Sequence, residues 1–432
     1  MHDHGSSSFY GDLYADRTYS MVSSEVRDLL AVTARPDIIS LAGGLPCTQV
    51  IPPDVLVELA ERVFREDGPG ALQYGPTDGY APLKHSLCEV MREEGLRANP
   101  EDLIVTHGSQ QALEMLSKIL INPGDAVLVE APSYVGALNS FMSYQPEFLA
   151  VEMDGEGMRL DLLETALLRL RRSGRRAKFL YTVPNFQNPA GITLSMERRV
   201  GLIELAQEHD LLIIEDNPYG LLRYEGDPLP TLKSLDPQRV VYLGTLSKIF
   251  SAGLRIGWAF APPPLMEKLL LAKQSADLCT STLTQRIAYH YFNTRDWRGT
   301  ISSLVRVYRG RRDAMLRSLE ELFPEEASWT RPRGGFFVWA SLPRYIDTKS
   351  MLAKSIESKV AYVPGTGFYP GGRGNHEMRL NFSFPPEDEI YDGIKRLSKV
   401  IRREISLARS LGMDRQDEGQ EGIRRPREVD DG

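Results

Sequence analysis

Between about residue 54 and residue 260, short unbroken apolar runs alternate with stretches of helix-like periodicity. The runs are DLIVTHG (102–108), AVLVEAP (126–132), FLYTVP (179–184), LLIIED (211–216), VVYLGTL (240–246) and WAFA (258–261). A strand buried on one face alternates apolar with polar residues, whereas a strand covered on both faces reads as a continuous apolar run. The pattern predicts a βαβ rhythm, and with it an α/β fold in three layers: a mostly parallel sheet flanked by helices. After about residue 297 the texture changes to a long charged helix, then to GGFFVWASLP and a glycine-rich segment ending in MRLNFSF. This predicts a second, smaller α+β domain. The expected division is an N-terminal arm with part of the small domain (1–53), a large domain (54–296), a small C-terminal domain (297–410) and a disordered tail (411–432). From 414 to 432, eleven of nineteen residues are charged, too few apolar groups to offset the entropy of ordering the segment.

The length of 432 residues excludes a minimal binding module and allows two or three domains. With 51 basic against 58 acidic side chains the net charge is −7, which argues against a nucleic-acid partner, since that role needs a basic face to neutralise phosphates. Cys47, Cys88 and Cys279 are widely separated and odd in number. They exclude a disulfide framework and any CxxC metal site, and they point to a reducing compartment. The chain opens without an apolar segment of signal-peptide type, and no run approaches the roughly 18 apolar residues of a membrane span. A cytoplasmic protein without a membrane partner is expected. His2 and His4 sit on a polar terminus and are read as mobile, so no metal site is expected.

Ligands in open α/β sheets bind outside the carboxyl ends of the strands, so the residues following each apolar run carry the candidate chemistry. The first run leads into Gly108-Ser109-Gln110-Gln111, after which Leu113, Leu116 and Leu120 recur at helical spacing. Ser109 reads as an N-cap, and a helix start offers free N–H groups to a phosphate; plain capping is the alternative. Asp216 closes LLIIED, and a carboxylate ending a buried strand needs a donor or a cation, either a protonated heteroaromatic nitrogen or an arginine or turn N–H. Lys248, between Leu246 and Ile249-Phe250, stands where the fold would bury it. Burial or a cationic neighbour lowers the pKa of a lysine and makes it a Schiff-base former. Thr245, Ser247 and Arg255 around it are suited to an anion. Glycines 365, 367 and 371 are a near miss to GxGxxG without the strand-then-helix context, so dinucleotide binding is discounted.

Taken in order, GSQQAL, PNFQNPAG, EDNPYG, SKIFSAGLRIGW and MRLNFSF resemble the fold type I pyridoxal-phosphate aminotransferases, in particular the branch of kynurenine/2-aminoadipate aminotransferases and MocR-type regulators. The resemblance covers about residues 20–410. It implies that Lys248 holds the cofactor covalently and moves a proton, that Asp216 pairs with the pyridinium nitrogen, and that Asn188 and Tyr219 bind the phenolic oxygen. Tyr134 would stack on the ring. Ser109, Gln110, Thr245, Ser247 and Arg255 would hold the phosphate, with Tyr74 reaching it from the neighbouring subunit of a homodimer. Arg379 would clamp the substrate α-carboxylate near Asn188 and the backbone of Gly44. The implied activity is ping-pong transfer of the amino group of an aromatic, branched-chain or 2-aminoadipate-like L-amino acid to a 2-oxo acid such as 2-oxoglutarate. A lyase or decarboxylase on the same scaffold, or a ligand-sensing regulatory domain, is the rival. The first fifty or so residues show no two-helix DNA reader, which disfavours a regulator. The side-chain pocket is expected to be lined by the N-terminal arm, Leu45, Pro46 and the stretch 365–374.

Overall fold

The computed structural model describes residues 10–21, 29 and 35–414; His2, His4 and most of the charged tail lie outside them. In chain order the strands are β1 (Ile39–Ser40), β2 (Leu103–His107), β3 (Ala126–Ala131), β4 (Glu147–Asp154), β5 (Gly157–Met158), β6 (Ala177–Thr182), β7 (Ile213–Asp216), β8 (Val240–Thr245), β9 (Ile256–Phe260), β10 (Ser328–Trp329), β11 (Phe337–Ser341), β12 (Val360–Ala361), β13 (Val363–Pro364) and β14 (Glu377–Asn381).

Eight of them form one sheet in the order β2-β9-β8-β7-β6-β3-β4-β5. Side chains alternate across a strand, and here consecutive apolar residues enter two separate cores. Val127, Val129, Phe179, Tyr181 and Ile214 join one; Ala126, Leu128, Leu180 and Ile213 join the other. Burial on both faces is why these runs carry no polar alternation. The stretch from β8 to β4 is parallel throughout. The sheet is nonetheless mixed: β9 runs antiparallel to both β8 and β2, and β5 antiparallel to β4. A parallel return needs a crossover of about a dozen residues or more, and the loop 246–255 between β8 and β9 is too short for one.

The smaller sheet, in the order β10-β11-β14-β13, is antiparallel and is backed by the helices Trp297–Leu322 and Glu387–Ser410, which pack together. The N-terminal segment is tied to this unit: β1 pairs in parallel with β12, and Asn381 N–H donates to the Leu41 carbonyl at 2.8 Å. Residues 42–45 are thereby suspended between the two sheets. Among the described residues no helix is long and apolar enough to cross a membrane.

Candidate active site

Where the carboxyl ends of the large sheet meet β11 and β14, a cavity of about 640 Å³ opens, and Gly44, Ser109, Gln110, Tyr134, Asn188, Asp216, Tyr219, Thr245, Ser247, Lys248, Arg255 and Arg379 all line it. One candidate is missing. Tyr74 is 77% exposed and takes no part in this cavity. Leu45 lines it, joined by Val135 and Phe337, but Pro46 and the stretch 365–374 do not.

Asp216 ends β7 and is buried. Its Oδ2 accepts a 2.8 Å hydrogen bond from the Tyr181 hydroxyl on the adjacent strand, while Oδ1 has no partner among the described residues. Neither an arginine nor a turn N–H meets it, contrary to the simpler sequence reading. Burial raises its pKa to about 6 against the opposing pull of the Tyr181 bond. A buried acceptor left unpaired costs roughly 1–3 kcal/mol, so this oxygen marks a position for a donor from outside the chain.

Lys248 follows β8 at the cavity wall. Its Nζ donates to the Gly44 carbonyl at 2.9 Å and stands 5.5 Å from the centre of the Phe336 ring. Burial first, then the positive charges of Arg379 and Arg255, lower its pKa to about 8. About one amine in ten is then unprotonated at neutral pH, against fewer than about one in a thousand at an ordinary lysine pKa near 10.4.

The corner below is built from backbone. The helix Gly108–Leu120 starts two residues earlier than Ser109 would imply: its N-cap is His107, without a side-chain cap bond, so Ser109 lies inside the first turn and is not the N-cap. Gly108 has the left-handed φ of +71°, freeing the chain to turn from strand directly into helix. A Cβ on Gly257 would fall 2.5 Å from Ser109 N, and one on Gly108 would meet Arg255 Nη2. The helix start, β9 and the Arg255 guanidinium therefore touch with no room for side chains between them. Arg255 itself is held at φ +55°. Thr245 Oγ1 donates to Ser247 Oγ at 2.9 Å. Unsatisfied N–H groups, two hydroxyls and a guanidinium around one small space suit a phosphate. Gln110 contributes from this helix too, but its side-chain amide is already committed to the Gly136 carbonyl and Ser140 at 2.8 and 2.7 Å.

On the opposite side, Arg379 from β14 is buried between the rings of Phe337 and Phe368, at 4.2 and 5.0 Å. Asn188 Oδ1 and the Ala42 carbonyl accept from its two terminal nitrogens at 2.9 and 2.8 Å, and Nε is unpartnered among the described residues. Burial lowers its pKa to about 10, so it stays charged. The same Asn188 hydrogen-bonds the Tyr219 hydroxyl, whose pKa burial pushes upward. Tyr134 caps the start of the helix Val135–Met142, with its hydroxyl 3.5 Å from Gln110 Oε1.

Sequence reasoning missed Tyr181 and Phe337, and reached Phe368 only as part of the stretch 365–374. For Tyr181 a signal exists: a tyrosine within an unbroken apolar strand must find a partner for its hydroxyl. Phe337, within GGFFVW, carries none that separates it from core.

Comparison with known proteins is consistent with this geometry. Residues 36–397 match the family model described as aminotransferase class I and II. Aromatic-amino-acid aminotransferase 1 of Thermococcus litoralis is 46% identical over 398 residues, 92% of this chain and 95% of that protein. The 2-aminoadipate transaminase of Thermus thermophilus is 39% identical over 389 residues, 89% and 95% respectively. Among solved structures, the Pyrococcus horikoshii kynurenine aminotransferase in complex with PMP, with KYN as substrate and KYA as product, has a TM-score of 0.87 at 43% identity, covering 92% of this chain and 98% of that one.

Proposed function

This chain belongs to the class I and II aminotransferases, and we propose that it takes the amino group from an L-amino acid with an aromatic or other uncharged side chain and delivers it to a 2-oxo acid, using pyridoxal phosphate. The observation that carries this reading is the unpaired Oδ1 of Asp216 in the same cavity as the Lys248 amine. The residues fit the cofactor. An anionic acceptor awaits a ring N–H, Asn188 and Tyr219 stand together for a phenolic oxygen, and the helix start with Thr245, Ser247 and Arg255 suits the phosphate. Tyr134 offers a face to the ring.

When bound, pyridoxal phosphate supplies the electron sink for loss of the substrate Cα proton. The chain supplies the rest. Asp216 holds a proton at the ring nitrogen. Lys248, as a free amine, would take the Cα proton as general base and, as general acid, give it up at a second carbon, on the cofactor, rather than back at Cα. Arg379, pinned by Asn188, Ala42 and two aromatic faces, fixes the α-carboxylate, and that choice of orientation favours proton loss over decarboxylation.

Side-chain preference follows from charge. The cationic side chains lining the cavity are Lys248, Arg255 and Arg379, and each has a role above. Among the described residues none is left for a second carboxylate, while Leu45, Val135 and Phe337 offer apolar surface. Aromatic and branched-chain donors should therefore both exceed 2-aminoadipate. Tyr74, exposed here, belongs in this reading to the site of a second copy in a homodimer. All three cysteines are free thiols, which accords with the cytoplasm.

The test is a half-reaction. An aromatic amino acid added without oxo acid should bleach the visible absorbance of the loaded protein and release one equivalent of 2-oxo acid. Catalytic ammonia or carbon dioxide in its place would overturn the reading in favour of a lyase or decarboxylase.

A further inference from the structure

Tyr181 has one task that its ring does not explain. Its side chain is fully buried in β6, in edge contact with Phe141 at 5.5 Å between ring centres, and a phenylalanine would fill the same volume. The hydroxyl must therefore be accounted for separately, because burying it without a partner is costly. Its hydrogen bond goes to Oδ2 of Asp216. The sheet register explains how it gets there: Tyr181 pairs with Ile214 on β7, so it shares a face with Asp216, two residues on. From the other side, Asp216 accepts no side-chain bond from any described residue except Tyr181, and its second oxygen is empty-handed.

A carboxylate is free to turn about its last torsion, which has a broad, two-fold profile. Held at neither oxygen, it would present no fixed acceptor to a ligand. We propose that Tyr181 is a positioning residue for the cofactor's ring nitrogen, acting through Asp216: its hydroxyl anchors Oδ2 and so leaves Oδ1 turned to the cavity. The bond also favours the ionised carboxyl against the burial that opposes it. The inference rests on the reading of Asp216 as the partner of that nitrogen.

The experiment compares equilibrium affinities of the apoprotein at near-neutral pH for two probes, pyridoxal phosphate and its 1-deaza analogue, in which C–H replaces the ring nitrogen. The parent protein should prefer pyridoxal phosphate. Y181F should weaken that ligand by about tenfold, the scale of one hydrogen bond to a charged group, and leave the analogue within about twofold, because the analogue has no nitrogen for Asp216 to meet. An equal loss for both ligands would make Tyr181 a packing residue, and no loss for either would make it irrelevant; both overturn the proposal. A parent protein that does not distinguish the two ligands would instead overturn the assignment of Asp216 itself. As a second check, Y181F made in a D216A background should change neither affinity, and a tenfold loss there would show that the hydroxyl acts by another route.

Discussion

Glu215 and Asp216 are consecutive carboxylates on one buried strand, and they meet opposite surroundings. Alternation sends Glu215 to the face where the helix Leu232–Leu235 begins, and both its oxygens are taken there by the backbone N–H groups of Leu232 and Lys233 at 3.0 and 2.8 Å. Around it the cations are also committed. Lys233 Nζ donates to the carbonyls of Pro237 and Val240, and Arg199 to those of Leu194, Pro230 and Pro184 and to Asn185. Across the sheet, Asp216 keeps one oxygen empty, Arg379 keeps Nε unpaired, and Lys248 holds a single carbonyl. Both groups consist of ionisable residues, buried except for the half-buried Lys248. A polar cluster whose bonds are closed within the chain holds the fold together, whereas one left short of partners is the place a ligand completes.

The contrast can be broken experimentally. The largest effect is expected on the open side: Lys248→Ala should slow transamination at least about a thousandfold, as for loss of a positioned base, with little change in melting temperature. Near-normal turnover would remove Lys248 from the chemistry. Arg379→Ala should lower kcat/KM for α-amino acids about a hundredfold, the scale of losing a buried charged hydrogen-bond partner; an unchanged amino-acid affinity would take it out of the site.

The pH dependence of Lys248 comes next. Only the neutral amine is a nucleophile, and its pKa is lowered to about 8. The rate at which apoprotein takes up pyridoxal phosphate should therefore fall about tenfold for each pH unit below that value and level off above it. A break near pH 10 would show that burial and the two arginines do not act on this amine.

The smallest effects sharpen the comparison through stability. Glu215→Ala strips two buried N–H groups of their acceptor and should cost about 2–4 kcal/mol, while turnover per folded molecule stays within about twofold. Asp216→Ala in the apoprotein leaves the Tyr181 hydroxyl without its acceptor but also removes an unpaired buried oxygen and a carboxylate that burial disfavours, and with these offsetting it should change stability by less than about 1 kcal/mol. Equal destabilisation by the two, read from urea denaturation, would erase the distinction between a closed and an open cluster.

Much of this organisation can be read along the chain. Continuous apolar runs locate β2, β3, β6, β7, β8 and β9 because both faces of those strands are covered, and the residues that follow all of them but β9 reach the cavity because those strands end there, whereas antiparallel β9 begins there, just after Arg255. The exposed half of the pattern is harder. β4, Glu147–Asp154, leaves several positions partly exposed and flanks its short apolar run, Phe148 to Val151, with charge, so it shows no clean alternation. Strand direction at β9 depends on loop length, and the helix start at Gly108 on a left-handed glycine with no capping side chain.

The deepest ambiguity concerns the carboxylates. Glu130 lies within AVLVEAP much as Asp216 ends LLIIED, and a one-dimensional reading treats them alike. Only the packed sheet distinguishes them: Thr182, the Val183 N–H and Gln187 all donate to Glu130, whereas Asp216 receives Tyr181 and keeps an oxygen open. Chain order sets which groups are buried, since burial follows from local apolarity; whether a buried group's bonds are filled depends on strands and loops distant in sequence, which meet only when the fold is complete.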